Sequence, residues 1–322
     1  MESIKIEIKD LVDIDSISKE YNISKHELIS FHNRHCALHE LLPENLPKYI
    51  SSIYIPVEKY NTWKEKQLPA SRITSPGASE KLTYGVLITQ QPSELQIDYL
   101  IDIQKKAENK ISVSRQKLFV NNNEVGMMVE KMMETAGEAL YPLQMSLNKK
   151  GKPDQIENAE EIQTRWTETY RPKIKQYYVG EVTDGLVARF DHFYENIANG
   201  AGSLQRNIFY PLFFMPLYDS YPDYQKKERL DFYFPSFGET VSYDAVFSLQ
   251  RIFTDRGRIV VQVKGEQYYD EISLDEDKGK IDLVYQLDKG GNIFSITGAL
   301  STFYDNQEIK IGIEIYLQES YL

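Results

Sequence analysis

The chain has 322 residues, 41 % of them hydrophobic and 26 % charged, with a formal net charge of −11. That length supports one large domain or two of ordinary size, and the acidic balance repels phosphate backbones, so general nucleic-acid binding is disfavoured. The single cysteine, Cys36, excludes an intramolecular disulfide scaffold, and no run approaches the roughly 20 apolar residues that a membrane-spanning helix needs.

The first stretch alternates as Ile4-Lys5-Ile6-Glu7-Ile8, which predicts a short strand and lacks the unbroken apolar core of a secretory signal. The expected location is therefore cytoplasmic, with export only by a signal-independent route. A helix is predicted from about Asp15 to Tyr21. Ser24 has N-cap spacing to Glu27 and opens a second helix with Leu28, Ile29 and Phe31 on its apolar face. Ile53-Tyr54-Ile55-Pro56 predicts a closing strand stopped by proline. The sum is a compact βααβ unit over residues 1–60.

The residues Ser16 to Ser24, then Leu28-Ile29 and Asn33, then Ile53 to Pro56, resemble a LysM domain. By that resemblance Ile17, Tyr21, Leu28, Ile53 and Ile55 fall at core positions. It implies a glycan or partner groove at Asp13, Ile14 and Asp15, with Asn33 and Ser51 on the other wall. The family's Gly-Asp-Thr and Gly-Gln are replaced by Leu11-Val12-Asp13 and Ile50-Ser51, and Arg34 to Tyr49 is an insert. A LysM-like head implies protein partners in a larger bacterial assembly, of the contractile-injection or type VI-like secretion kind. The alternative is a cell-wall protein whose head binds peptidoglycan.

Pro69, Ser71, Thr74, Ser75, Pro76, Gly77 and Ser79 crowd the next stretch, which predicts a linker over residues 61–79. Residues 80–322 then read as one α+β domain. Strands are expected at Leu82 to Thr89, Leu95 to Gln104 and Lys110 to Val120, followed by a helix from Val125 to Ala139. Tyr141 to Leu147 and Gln155 to Asn158 flank the turn Lys149-Lys150-Gly151-Lys152. Helices are expected over Ala159 to Tyr177, Val182 to Ala198 and Ser203 to Phe214. The tail reads as strands at Leu230 to Phe234, Glu239 to Phe253, Arg258 to Lys264, Lys280 to Leu287, Ile293 to Tyr304 and Glu308 to Leu317. Asp305-Asn306 marks one of its hairpins. Strands at both ends with helices between predict one large curved antiparallel sheet packed on a group of helices. That element order is distantly like the half-barrel of lipoprotein carriers, and it opens a further alternative: a carrier of an apolar ligand in the concave face.

His32, His35, Cys36 and His39 stand at i, i+3, i+4 and i+7 and would share one face of a continuing helix, making them the candidate metal ligands. The plainer reading places them at a helix end and its following loop. Asp191 and Glu195 beside His192 form the one candidate acid–base pair, against the plainer reading of a solvated helix face with Arg189. Asp275-Glu276-Asp277-Lys278-Gly279 only superficially resembles a calcium loop. No nucleophile elbow, zinc-protease pair or dinucleotide fingerprint is present. The expectation is a non-catalytic adaptor or structural protein without a cofactor. The aromatic run Phe209 to Tyr218 and the group Met127, Met128, Met132 and Met133 are expected in the core.

Overall fold

The computed structural model describes residues 2–8, 13–47, 49–78, 80–107, 109–269 and 278–318. Leu11, Val12, Ser79 and the acidic residues 275–277 lie outside them. The chain divides into two compact units, Met1–Pro69 with Ile252–Thr254, and Ala70–Arg251 with Asp255–Leu322.

In the first unit, β1 (Ser3–Glu7) and β2 (Ser52–Pro56) pair antiparallel, with Ile4 opposite Ile55 and Ile6 opposite Ile53. Between them lie α1 (Ile14–Glu20), α2 (Lys25–His35) and a 3-10 turn at Leu38–Glu40. Asp13 caps α1 and Ser24 caps α2, each side chain accepting a backbone N–H three residues on. Ile14, Ile17, Tyr21, Ile23, Leu28, Leu42, Ile50, Ile53 and Ile55 form the core. A further helix, α3 (Val57–Lys66), follows β2 directly and sets Trp63 against Tyr21, the tilted rings having centroids 5.0 Å apart.

The stretch expected as a linker is structured. It begins inside α3, and Gln67 then makes a bridge with Ile252. Within the second unit Arg72 pairs with Ser220, Ile73 is buried and Tyr221 N–H donates to Ser71. Proline and serine remove helical and strand periodicity, but they leave an extended backbone free to dock.

The second unit holds a twelve-stranded sheet. Its strands are β3 (Leu82–Gln91), β4 (Leu95–Ala107), β5 (Lys110–Val120), β6 (Asn123–Glu124), β7 (Leu143–Leu147) and β8 (Pro153–Ile156), then β9 (Gln225–Phe234), β10 (Glu239–Leu249), β11 (Ile259–Gln267), β12 (Lys280–Leu287), β13 (Ile293–Tyr304) and β14 (Gln307–Leu317). The spatial order is β8-β7-β5-β4-β3-β14-β13-β12-β11-β10-β9, antiparallel throughout, with β6 on β5. The first and last strand groups therefore meet where β3 pairs with β14. The sheet curls until its two end strands approach, and Lys150 in the β7–β8 turn reaches Glu228 on β9 at 3.4 Å.

The helices are α4 (Met128–Glu138), α5 (Ala159–Arg165), a π turn (Trp166–Tyr170), α6 (Arg171–Tyr177), α7 (Glu181–Glu195), α8 (Ala201–Leu204) and α9 (Phe209–Phe213). The helix expected over 203–214 is thus two short pieces. Residues from Phe209 to Leu217 are buried as expected, Pro211 aside, with Phe209, Leu212 and Leu217 fully enclosed. The methionine group is not core: Met132 alone is buried, whereas Met127, Met128 and Met133 are 67 %, 58 % and 48 % exposed. Met127 is the N-cap of α4, and Met133 is turned about 100° around the helix from buried Met132.

Candidate functional site

The head places its five resemblance-derived residues in separate roles, and no hydrogen bond or ion pair joins any two of them. Ile14 is core, 1 % exposed, so it is not a contact residue. Asp13 is the α1 cap, its carboxyl held below the usual range by hydrogen bonds from Ser16. Asp15 pairs with Lys25 at 3.1 Å. Asn33 spends both ends of its amide on Leu42, donating to its carbonyl at 2.9 Å and accepting its N–H at 2.7 Å. Ser51 is exposed beside β2, its carbonyl accepting from Ile8.

The candidate metal ligands do not form one face, because α2 ends at His35 and Cys36 turns extended. Among the described residues no group of three or more potential ligands could hold a metal ion. His32 is fully buried, with Tyr54 N–H donating to Nδ1 at 3.0 Å and Nε2 donating to the Glu40 carbonyl at 2.8 Å. His35 donates Nδ1–H to Phe31 and stacks on its ring. His39 belongs to the separate 3-10 turn.

Asp191 likewise serves structure. It accepts from Trp166 Nε1 at 2.8 Å and from Arg171 Nε and Nη2 at 2.8 and 3.1 Å. Burial opposes its charge, but the bonds from Arg171 and Trp166 outweigh it and hold the carboxyl below the usual range, ill-suited to proton exchange near neutrality. Among the described residues the His192 ring bonds to Asn196, the cap of its own helix.

A concavity opens on the sheet face turned away from the helices, a position no local motif marks. Alternation puts Tyr84, Val86, Tyr99, Ile101, Ile313 and Ile315 on the helix side, leaving Gly85, Leu87, Asp98, Leu100, Glu314 and Tyr316 opposite. There they line an open groove of about 460 Å³ with Gln116, Lys117, Phe119 and Gln318. A neighbouring hollow of about 280 Å³ shares Leu87, Glu314 and Tyr316 and runs on to Thr297. Register sets one row as Thr297, Glu314, Leu87, Asp98, Phe119. The next row is Ser295, Tyr316, Gly85, Leu100. Glycine drops the floor between Tyr316 and Leu100, and these two walls remain 42 % and 38 % exposed. At the β5 side, Tyr99 pairs with Leu118 but Ile101 pairs with Arg115, so Leu100 faces both Gln116 and Lys117. That bulge bends the groove wall.

The charged groups along β4 differ sharply. Asp102 accepts from Thr83 at 2.7 Å, Lys81 at 3.2 Å and Gln116 at 3.3 Å. Four residues earlier on the same face, Asp98 Oδ2 is shielded from solvent and receives no hydrogen bond from any described residue. Glu314 is exposed without an ion pair among the described residues, and Lys117 is paired with Glu124.

On the helix side the sheet residues Tyr84, Val86, Ile101, Ile313 and Ile315 are buried. The pockets beside Tyr210 and Phe213 hold about 80 and 50 Å³, against the several hundred cubic ångströms of an ordinary ligand site. Burial raises the tyrosines there far above the usual phenol range, and Tyr84, Tyr243 and Tyr285 each donate to a backbone carbonyl.

No family model matches the chain, and no curated protein does. Among solved structures, a lipovitellin chain determined in work on its lipid–protein interactions aligns with a TM-score of 0.42 and 10 % identity, over 76 % of this chain and 25 % of that one. This chain thus spans about a quarter of that chain's length. LysM membership, peptidoglycan binding and a secretion-machine role gain no support from these comparisons. No described helix is long and apolar enough to cross a membrane.

Proposed function

We propose that the protein is a non-catalytic adaptor whose large sheet docks a partner protein in the groove on its outer face. The observation that carries this reading is the groove itself: apolar walls at Leu100 and Tyr316 stand open over a glycine floor on a sheet whose other face is already packed. Exposed apolar concavities of this kind mark binding surfaces. The polar groups that could have suggested catalysis, Asp191, His32 and the core tyrosines, are engaged in holding the fold.

Site-specific photo-cross-linking in the protein's own host tests the reading. A benzoylphenylalanine at Tyr316 should trap one discrete partner, whereas the same probe at exposed Lys227 on β9 should not. A folded chain that gives no adduct from Tyr316 overturns it.

A further inference from the structure

We propose that the docked segment presents an arginine or lysine side chain, whose cation is neutralised by Asp98 while its apolar stem lies over Gly85. This rests on the docking reading above and names its chemistry. A buried carboxylate oxygen without a donor is a cost to the free protein, and such orphans call for an explanation. Asp102 shows that the same strand and face can satisfy a carboxylate in full, so the sheet geometry does not forbid it. Asp98 is instead left with an unpartnered Oδ2 at the margin of the groove.

The register supplies the charge pattern. Asp98 and Glu314 flank Leu87 from the two neighbouring strands, which sets them about 10 Å apart. Among the described residues no third ligand joins them to hold a metal ion, and the one cation on the lining, Lys117, already faces Glu124. A neutral apolar occupant would bury Asp98 still deeper without a partner, and an anionic one would meet two like charges. A guanidinium or ammonium on a hydrocarbon stem satisfies both the carboxylate and the walls at Leu100 and Tyr316. The second hollow, continuous past Glu314 toward Thr297, gives the flanking residues of an extended segment a place to lie, which a free amine would leave empty.

Methyl-labelled full-length chain can be titrated with the blocked tripeptide acetyl-Leu-Arg-Leu-amide, its citrulline counterpart and acetyl-Leu-Glu-Leu-amide. The Leu87 and Leu100 methyl resonances should shift and saturate with the arginine peptide, at least about tenfold tighter than with citrulline, and not with the glutamate peptide. Asp98→Asn should abolish the preference for arginine over citrulline. Gly85→Val should block both, and the chain should stay folded, since the close contact of a Cβ there is the flexible Gln318 amide at 2.7 Å and Leu100 Cδ2 lies at an ordinary 3.9 Å. Equal affinity for arginine and citrulline, or an arginine preference that survives Asp98→Asn, would overturn the cation proposal while leaving the docking reading standing. Unmoved groove methyls with all three peptides at about 10 mM would overturn both, because even weak docking of a matching segment registers at that concentration.

Discussion

Both ring nitrogens of His32 are committed, and the pattern settles its tautomer: Nδ1 accepts from the Tyr54 N–H, so the proton sits on Nε2 and is donated to Glu40. The ring therefore ties the end of α2 to both the 3-10 turn and β2. His32→Ala should orphan two backbone groups and cost about 2–4 kcal/mol, read as faster hydrogen exchange across the head amides. A head with unchanged protection would contradict this role. The two aspartates of β4 make an opposed pair. Asp102→Asn loses charge-assisted bonds from Lys81 and Thr83 and should cost about 1–3 kcal/mol, whereas Asp98→Asn, which has no such bond to lose, should leave stability within about 1 kcal/mol of the parent. Burial opposes the Asp102 charge, but bonds from Thr83, Lys81 and Gln116 prevail and depress its carboxyl. Its stabilisation is thus present above the ordinary carboxylate range near pH 4 and is lost as pH falls through the lowered native value. Acid titration of urea midpoints should show a shallower fall below about pH 4 in Asp102→Asn than in the parent. Identical acid limbs would rule out that linkage.

Two glycines of one sheet show why position within an element outweighs residue type. Gly298 on β13 has φ of +137°, and a Cβ there would lie 2.1 Å from the Asp282 carbonyl oxygen of β12. Gly298→Ala should therefore cost about 3 kcal/mol, as backbone rather than a flexible side chain must move. Gly85→Ala on β3 should be neutral or mildly stabilising, since glycine in a strand loses more chain entropy on folding than alanine does. Denaturant melts of the two variants check the ordering, and equal midpoints would refute it. Much of the sheet was legible because its signals are local. Ile309, Ile311, Ile313 and Ile315 alternate and all are buried, and Asp305 and Asn306 both take the positive φ that a two-residue hairpin needs. Helix ends were less so. Val57, Tyr60 and Trp63 recur at i, i+3 and i+6, the signal from which α3 could have been found. The π turn carries no local mark, and its first residue Trp166 and the following Arg171 both bond to Asp191, far along the chain.

At the scale of the large unit, the groove was hidden from sequence because its rows join β4, β3 and β14, and only the long-range pairing of β3 with β14 brings Glu314 beside Leu87. The same closure sets the interior tyrosines around the aromatic segment. Tyr84 donates to Ile293, Tyr221 to Leu217, Tyr243 to Ser301 and Tyr285 to Leu212, each at 2.7–2.9 Å. Loss of solvation is the main cause that raises all four phenols above their usual range. A group whose native pKa lies above its unfolded value stabilises fully below the unfolded value and ceases to do so as pH rises through the native one. Stability of this unit should therefore fall with increasing pH beyond about 10, where unfolded tyrosine begins to ionise. In a titration followed at 295 nm, phenols of ordinary pKa should ionise first and gradually. The buried set should follow in one cooperative step at higher pH, coincident with loss of the near-ultraviolet circular dichroism of the core. One smooth curve with the dichroism intact would mean that these hydroxyls reach solvent without unfolding, and that the aromatic core does not hold the curved sheet closed.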